Sequence, residues 1–197
     1  MRFAPIAFAA AILAAPLAQA GDAYNFDPGH TQVRAEWNHA GYSIQALHFR
    51  KVEGSAVIDF ENPENTKLNV TIPVDGIDTG VEAFDKHLWS ADFFEAEAHP
   101  NATFVSTSVE RTGDATLKVT GDLTIKGVAK PVTLDVTVNN QGEHPLGQFI
   151  DFYKGEWVGV TATGTITRSD WGLGFGAPIT SDEVDLFIST EMKKAGS

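Results

Sequence analysis

The chain has 197 residues, 43% of them hydrophobic, and sets 26 acidic side chains against 14 Lys and Arg, a formal charge of −12. A surface of that sign repels nucleic acid and anionic membranes. Cysteine is absent, which excludes a thiol nucleophile, an Fe–S cluster, a Cys-ligated zinc, lipid attachment through an N-terminal cysteine and any disulfide.

Residues 1–20 open with a single charge, Arg2, continue through an Ala, Ile, Leu and Phe run, and end in Ala18-Gln19-Ala20. That is the small-x-small pattern cut by signal peptidase. Pro5 and Pro16 interrupt the apolar run, which falls short of the roughly 20 residues of a membrane span. A cleaved leader is therefore expected, with export to the periplasm and a mature domain over residues 21–197.

From Gly21 onward the pattern has a period of two. Val33, Ala35 and Trp37 alternate with polar neighbours, as do Leu68, Val70, Ile72 and Val74. The same alternation runs through Leu117, Val119, Gly121, Leu123 and Ile125, through Val132 to Val138, and through Val184, Leu186 and Ile188. Each segment is a strand with one apolar face. Turn clusters separate them at Asn62-Pro63-Glu64-Asn65, Arg111-Thr112-Gly113-Asp114, Asn139-Asn140-Gln141-Gly142 and Gly174-Phe175-Gly176-Ala177-Pro178. About eight short-spaced strands predict an all-β sandwich or closed barrel.

Residues 81–99 break the pattern. Val81, Phe84, Asp85 and Leu88 are three and four apart, Gly80 precedes them and Pro100 ends the segment, so a short helical insert is predicted there. Its crowded aromatics, Phe84, Trp89, Phe93 and Phe94, need a partner surface, and one end of the barrel is the natural place. An eight-stranded barrel either fills its interior with side chains or holds one small ligand. The small residues Ala35, Gly121, Ala162 and Gly164 on the inner rows favour a cavity over a packed core.

Catalytic and metal chemistry find little support. The six histidines, His30, His39, His48, His87, His99 and His144, include no His-x-His, no His-Glu-x-x-His and no helical pair, so no metal is expected. His39 ends the Val33-Ala35-Trp37 row and is a candidate for orienting a ligand's head. No Gly-x-Ser-x-Gly elbow exists, and Asp85 and His87 look like capping or mouth residues. Gly172-Leu173-Gly174-Phe175-Gly176 runs into Ala177-Pro178 rather than a helix, which makes it a flexible loop rather than a nucleotide site. Arg168 and Asp170 are expected to form a charge pair or turn lock.

Ordered pieces now add to this reading. Asp27-Pro28-Gly29-His30-Thr31, Asp85-x-His87-Leu88, Phe93-Phe94, His99-Pro100, Gly121-x-Leu123-Thr124-Ile125-x-Gly127-Val128-x-Lys130-Pro131-Val132 and Arg168-Ser169-Asp170-x-Gly172 follow the order of the YceI-like family, which the chain resembles over almost its whole mature length. Two departures stand out: Thr31 where the family has Ser, and Phe84 where it usually has Arg. The resemblance implies an extended lipocalin-like barrel of eight antiparallel strands with a helical insert near residues 81–99, and a periplasmic tunnel for a polyprenyl lipid or isoprenoid quinone. It implies a binder or shuttle rather than an enzyme, with no cofactor beyond the bound lipid and a role in envelope stress. Trp37, His39, Phe84, Leu88, Phe93, Phe104 and Trp171 are the expected ligand-binding residues.

A tail of about 30 to 40 carbons, at roughly 0.3 kcal/mol per heavy atom, gives about 9 to 12 kcal/mol, near-nanomolar binding. The lost Arg and the acidic charge favour a neutral quinone head over a diphosphate. No nucleic acid is expected as a partner, whereas transient membrane contact and a homodimer remain open. The alternatives are an enzyme acting on such a lipid and a filled barrel that engages another protein.

Overall fold

Antiparallel strands and one helix make up the computed structural model, which describes residues 21–197; the expected leader, residues 1–20, lies outside them. In chain order the elements are β1 (Asp22–Phe26), β2 (Gln32–His39), β3 (Ser43–Phe49), β4 (Glu53–Ile58), β5 (Lys67–Pro73), β6 (Ile77–Asp78), α1 (Glu82–Trp89), β7 (Asn101–Arg111), β8 (Thr116–Ile125), β9 (Val128–Glu143), β10 (Glu156–Thr167) and β11 (Glu183–Lys194). Hydrogen bonding runs in the order β1-β4-β5-β7-β8-β9-β10-β11, and β11 pairs back onto β1, so these eight strands close a ring.

The three remaining strands are continuations of ring members. β2 prolongs β1, because Phe26 of β1 lies opposite Met192 while Gln32 of β2 lies opposite Ser189 of the same β11. In the same way β3 pairs with β2 as β4 does with β1, and β6 pairs with β3 as β5 does with β4. The sheet is therefore an eight-stranded up-and-down barrel whose first three long strands are each bent once.

The bends have local causes. Between β1 and β2, Asp27 Oδ1 accepts the Gly29 N–H at 2.8 Å, and Pro28 has no N–H to give to a ladder. Between β5 and β6 a single 3-10 turn, Val74–Gly76, brings Gly76 so near Lys51 that a Cβ would lie 3.0 Å from its backbone nitrogen. Lys126 and Gly127, with φ of 49° and 72°, make the tight two-residue turn from β8 to β9 in the left-handed geometry that matches strand twist.

α1 occupies the first half of the predicted insert, and Ser90 to His99 are turns. Asp85 Oδ1 accepts from the Thr79 N–H at 2.7 Å and from Thr79 Oγ1 at 2.6 Å, which fixes the helix entry. After Trp89 the chain folds back, with Phe94 N–H donating to Leu88 O at 2.9 Å and Glu95 at φ 50°, so the helix stops one turn short of the aromatic pair. Trp89 Nε1 donates to Val74 O at 3.0 Å and anchors α1 beside the end of β5.

The Gly-rich segment after β10 is not free, contrary to the flexible loop expected. A 3-10 turn, Arg168–Trp171, ends at Gly172 with φ 73°. The Arg168 side chain, 8% exposed, donates Nε to Ser181 O at 2.9 Å, Nη1 to Phe175 O at 3.0 Å and to Leu173 O, and Nη2 to Thr180 O and Oγ1 at 2.9 Å. The expected lock exists, but its partners are carbonyls rather than Asp170. Ser169 makes a second tie, its N–H and Oγ donating to Asp182 at 2.9 and 2.6 Å, and these donors hold the Asp182 carboxyl below its ordinary range.

Replacing Arg168 with Met leaves several carbonyls unpaired and should cost about 3 to 5 kcal/mol, read by urea unfolding. Arg168→Lys should recover little, because an ammonium cannot reproduce the planar fork. A loss under about 1 kcal/mol would mean the loop is held by other contacts.

Candidate ligand-binding site

The inward rows of the ring do not meet across its axis. They line a cavity of about 750 Å³ that runs the length of the barrel. The alternation read from the sequence sets its walls: Val33, Ala35 and Trp37 on β2, Leu68, Val70 and Ile72 on β5, Leu117 to Ile125 on β8, Val132 to Val138 on β9, and Val184 to Ile188 on β11 all face it, with Gly121 the exception. On β10 the lining spans Val158 to Ile166, eight rises of about 3.3 Å, which at a strand tilt of about 40° is a bore roughly 20 Å long.

Small residues keep the middle open at two of the four positions expected. Ala35 and Ala162 line the bore. Gly121 and Gly164 leave no void, because Phe104 lies over the one, with its ring tip 2.4 Å from where a Cβ would stand, and Leu134 over the other, at 2.8 Å. Glycine at these two sites lets a neighbouring side chain lie flat on the wall.

The two ends differ in chemistry. At the α1 end the lining comprises Trp37, His39, Phe84, His87, Leu88, Phe93, Phe175 and Thr180. His87, Phe93 and Phe175 form an aromatic trio with centroids 5.1 to 5.7 Å apart, and Phe84 tilts on Trp37 at 6.0 Å. Around this mouth Tyr42 is 93% exposed, Ile179 75% and Ile44 63%. The β2–β3 hairpin tip and the loop before β11 meet there, with Ala40 N–H donating to Ile179 O at 3.1 Å. The opposite end is polar, lined by Asp59, Thr66, Arg111, Asp114, Asn140 and Gln141. There Arg111 donates to Phe60 O.

Of the seven residues expected to contact a ligand, Trp37, His39, Phe84, Leu88, Phe93 and Phe104 line the bore. Trp171 does not. It is 3% exposed and donates Nε1 to Leu123 O at 3.0 Å, so it is packed behind the wall as a core residue and not as the ligand contact expected. Its strand-end place beside Gly172 is a 3-10 turn that aims the indole at the β8 backbone.

Three lining groups escaped the sequence. Phe175 sits in a loop without periodicity and is placed by Arg168. Val109 and Arg111 face inward only because a bulge between Ser106 and Ser108 shifts the register of β7 by one residue, which breaks the alternation. Thr31 and Thr190, bonded to each other at 2.7 Å, supply polar atoms in an otherwise apolar stretch.

Comparison with known proteins now fits this geometry. The family model for the YceI-like domain matches residues 24–192. The chain belongs to the YceI-like family. Protein YceI of Escherichia coli O157:H7 is 40% identical over 188 residues, 94% of each chain. Among solved structures, Burkholderia cenocepacia BcnA superposes with a TM-score of 0.74 at 26% identity, covering 84% of this chain and 98% of that one. A domain from Saccharophagus degradans, described as polyisoprenoid binding and implicated in plant cell wall breakdown, shares the fold with a TM-score of 0.64 at 13% identity, over 88% of this chain and 99% of its own.

Ala162→Phe tests whether the bore is empty. A side chain added to a filled core costs about 1 to 3 kcal/mol, whereas here the ring should enter open space, change stability by less than about 1 kcal/mol and weaken binding of a long-chain hydrocarbon probe. Strong destabilisation with unchanged binding would show a packed interior.

Proposed function

We propose that this protein is a soluble periplasmic carrier of a long isoprenoid-type lipid, a polyprenyl chain or an isoprenoid quinone, held tail-along in the bore. The observation that carries the reading is the continuous apolar cavity of about 750 Å³, walled by aliphatic and aromatic side chains and reaching α1 at one end. Family membership and the fold shared with a polyisoprenoid-binding domain support it. The leader expected at residues 1–20 supports periplasmic delivery.

The volume revises the affinity expected from sequence. At a liquid-like share of about 30 Å³ per heavy atom the bore holds about 25 atoms rather than 30 to 40. At roughly 0.3 kcal/mol each this gives about 7 to 8 kcal/mol, a dissociation constant in the micromolar range. Longer tails must leave through one of the ends. Binding of that strength suits uptake and release better than storage.

The two ends suggest the direction of transfer. Tyr42, Ile44, Phe175 and Ile179 ring the α1 mouth with exposed apolar surface, which suits transient insertion at a membrane interface. Among the described residues lining that mouth the one Lys or Arg is Arg168, and its guanidinium is committed to carbonyls. A neutral quinone head therefore fits there better than a diphosphate, in keeping with Phe84 where the family usually has Arg. His39 at the mouth is placed to meet such a head.

Mass spectrometry of an organic extract from protein purified natively from its own host should yield an intact isoprenoid species in near-stoichiometric amount. An empty extract, with no uptake from quinone-loaded vesicles, would refute the carrier. A second measurement addresses the mouth: Tyr42→Ser with Ile179→Ser should slow transfer from neutral vesicles while leaving equilibrium binding of a detergent-solubilised quinone unchanged. An unaltered transfer rate would remove the membrane role from this rim.

A further inference from the structure

The turn that separates β1 from β2 contributes almost nothing to the bore, yet it assembles ligand-type side chains. Asp27 is 7% exposed, and its Oδ2 lies 2.7 Å from His30 Nδ1. Glu191 on β11 brings its carboxylate to the same place, so that one ligand atom from each of Asp27, His30 and Glu191 lies within 4.8 Å of the others. The main chains are fixed to each other here, with Asp27 N–H donating to Glu191 O at 2.9 Å, and Gly29 N–H holds the other Asp27 oxygen. The three donors are thus carried on a rigid frame.

We propose that Asp27, His30 and Glu191 form a binding site for a first-row divalent cation, with Zn²⁺ as the best-matched ion. One imidazole nitrogen and two carboxylates are a donor set that Zn²⁺ accepts, with further positions left for water. A carboxylate packed in the wall beside an imidazole distinguishes this group from ordinary surface acidity. Two negative charges on a strongly acidic protein attract and neutralise the ion.

His144 stands outside the ligand set. Its Nε2 is 3.7 Å from Glu191 Oε2, while its Nδ1 accepts the Leu146 N–H at 3.2 Å. With Nδ1 an acceptor, the neutral ring carries its proton on Nε2, so His144 faces Glu191 as a donor and would steady a ligating carboxylate from the outer shell. The stack of His144 on Tyr153, centroids 4.4 Å apart, and the approach of Tyr153 to His30 at 6.1 Å cover this side of the cluster.

A bound ion would staple the turn to β11 on the outer side of the wall. Thr31 Oγ1 donates to Asp27 O at 2.7 Å and bonds Thr190 Oγ1, and both threonines face the bore. The site is independent of what the bore carries. Sequence spacing alone shows only Asp27 and His30; Glu191 arrives through the pairing that closes the barrel.

The test is calorimetric titration of the chelator-stripped mature protein with ZnCl₂, alongside thermal melts. Saturable one-to-one binding with a raised Tm is expected for the wild type and for His99→Ala. His30→Ala and the isosteric Glu191→Gln should each abolish the Tm rise, and His144→Ala should weaken binding by about 10- to 100-fold, the usual effect of an outer-shell partner. His30 is 47% exposed and Glu191 37%, so neither substitution threatens the fold. Absence of saturable binding overturns the proposal, as does binding that survives unchanged in both His30→Ala and Glu191→Gln.

Discussion

β11 carries the closure on which everything else in this molecule depends. It bonds β10 along one edge, Trp157 to Thr167 opposite Glu183 to Lys193, and along the other edge it bonds first β2 and then β1. A sheet closed in this way has no free edges, so backbone polar groups are satisfied around the ring. Closure also fixes a circumference. With eight strands the wall is just wide enough that inner side chains either fill the centre or leave it open, and here the choice is made by Ala35 and Ala162 facing an axis that the larger residues do not reach.

The ends of the barrel are finished by opposite means. At one end a short helix and a loop without regular structure are placed by polar ties at their margins: Asp85 to Thr79 for the helix, and Arg168 to four backbone carbonyls for the loop. Those ties hold the mouth in place while Phe84 and Phe93 pack against the buried core beneath them. A charged group buried for this purpose is expensive to desolvate, and its cost is offset only because nearly every donor of the guanidinium finds an oxygen. At the other end Asp59, Arg111 and Asp114 give a polar, solvated rim. The asymmetry follows from these residues: aromatic and aliphatic side chains ring one end, and charged and amide groups the other.

Much of the fold was legible because a half-buried strand writes a period of two into its residues. Val33-Ala35-Trp37, Leu68-Val70-Ile72 and Val132 to Val138 are inward rows in the structure as they are in the sequence. The helix was legible from Phe84 and Leu88, though not its end, since Glu95 takes a left-handed conformation that no residue preference announces. Reading failed where geometry is decided by distant partners. Trp171 is drawn inward by the Leu123 carbonyl, far away in the chain, and Phe175 is held by an arginine whose apparent partner, Asp170, is not the one it uses. The bulge in β7 reverses the facing of Val109 and Arg111, and alternation cannot foresee a reversal. Gly121 and Gly164 show a subtler limit: a missing side chain does not by itself make a void when a neighbour such as Phe104 can occupy the space.

The central claim is an apolar bore whose own side chains do not fill it. Its most direct test is a crystal structure of the delipidated protein under xenon pressure, because xenon enters dry apolar voids and scatters strongly. A file of xenon sites is expected along the axis, between Ala35, Ala162 and the Phe84 ring, with Trp37 and Phe104 left against the wall. Absence of xenon from the axis, with those two rings swung across the centre, would contradict it.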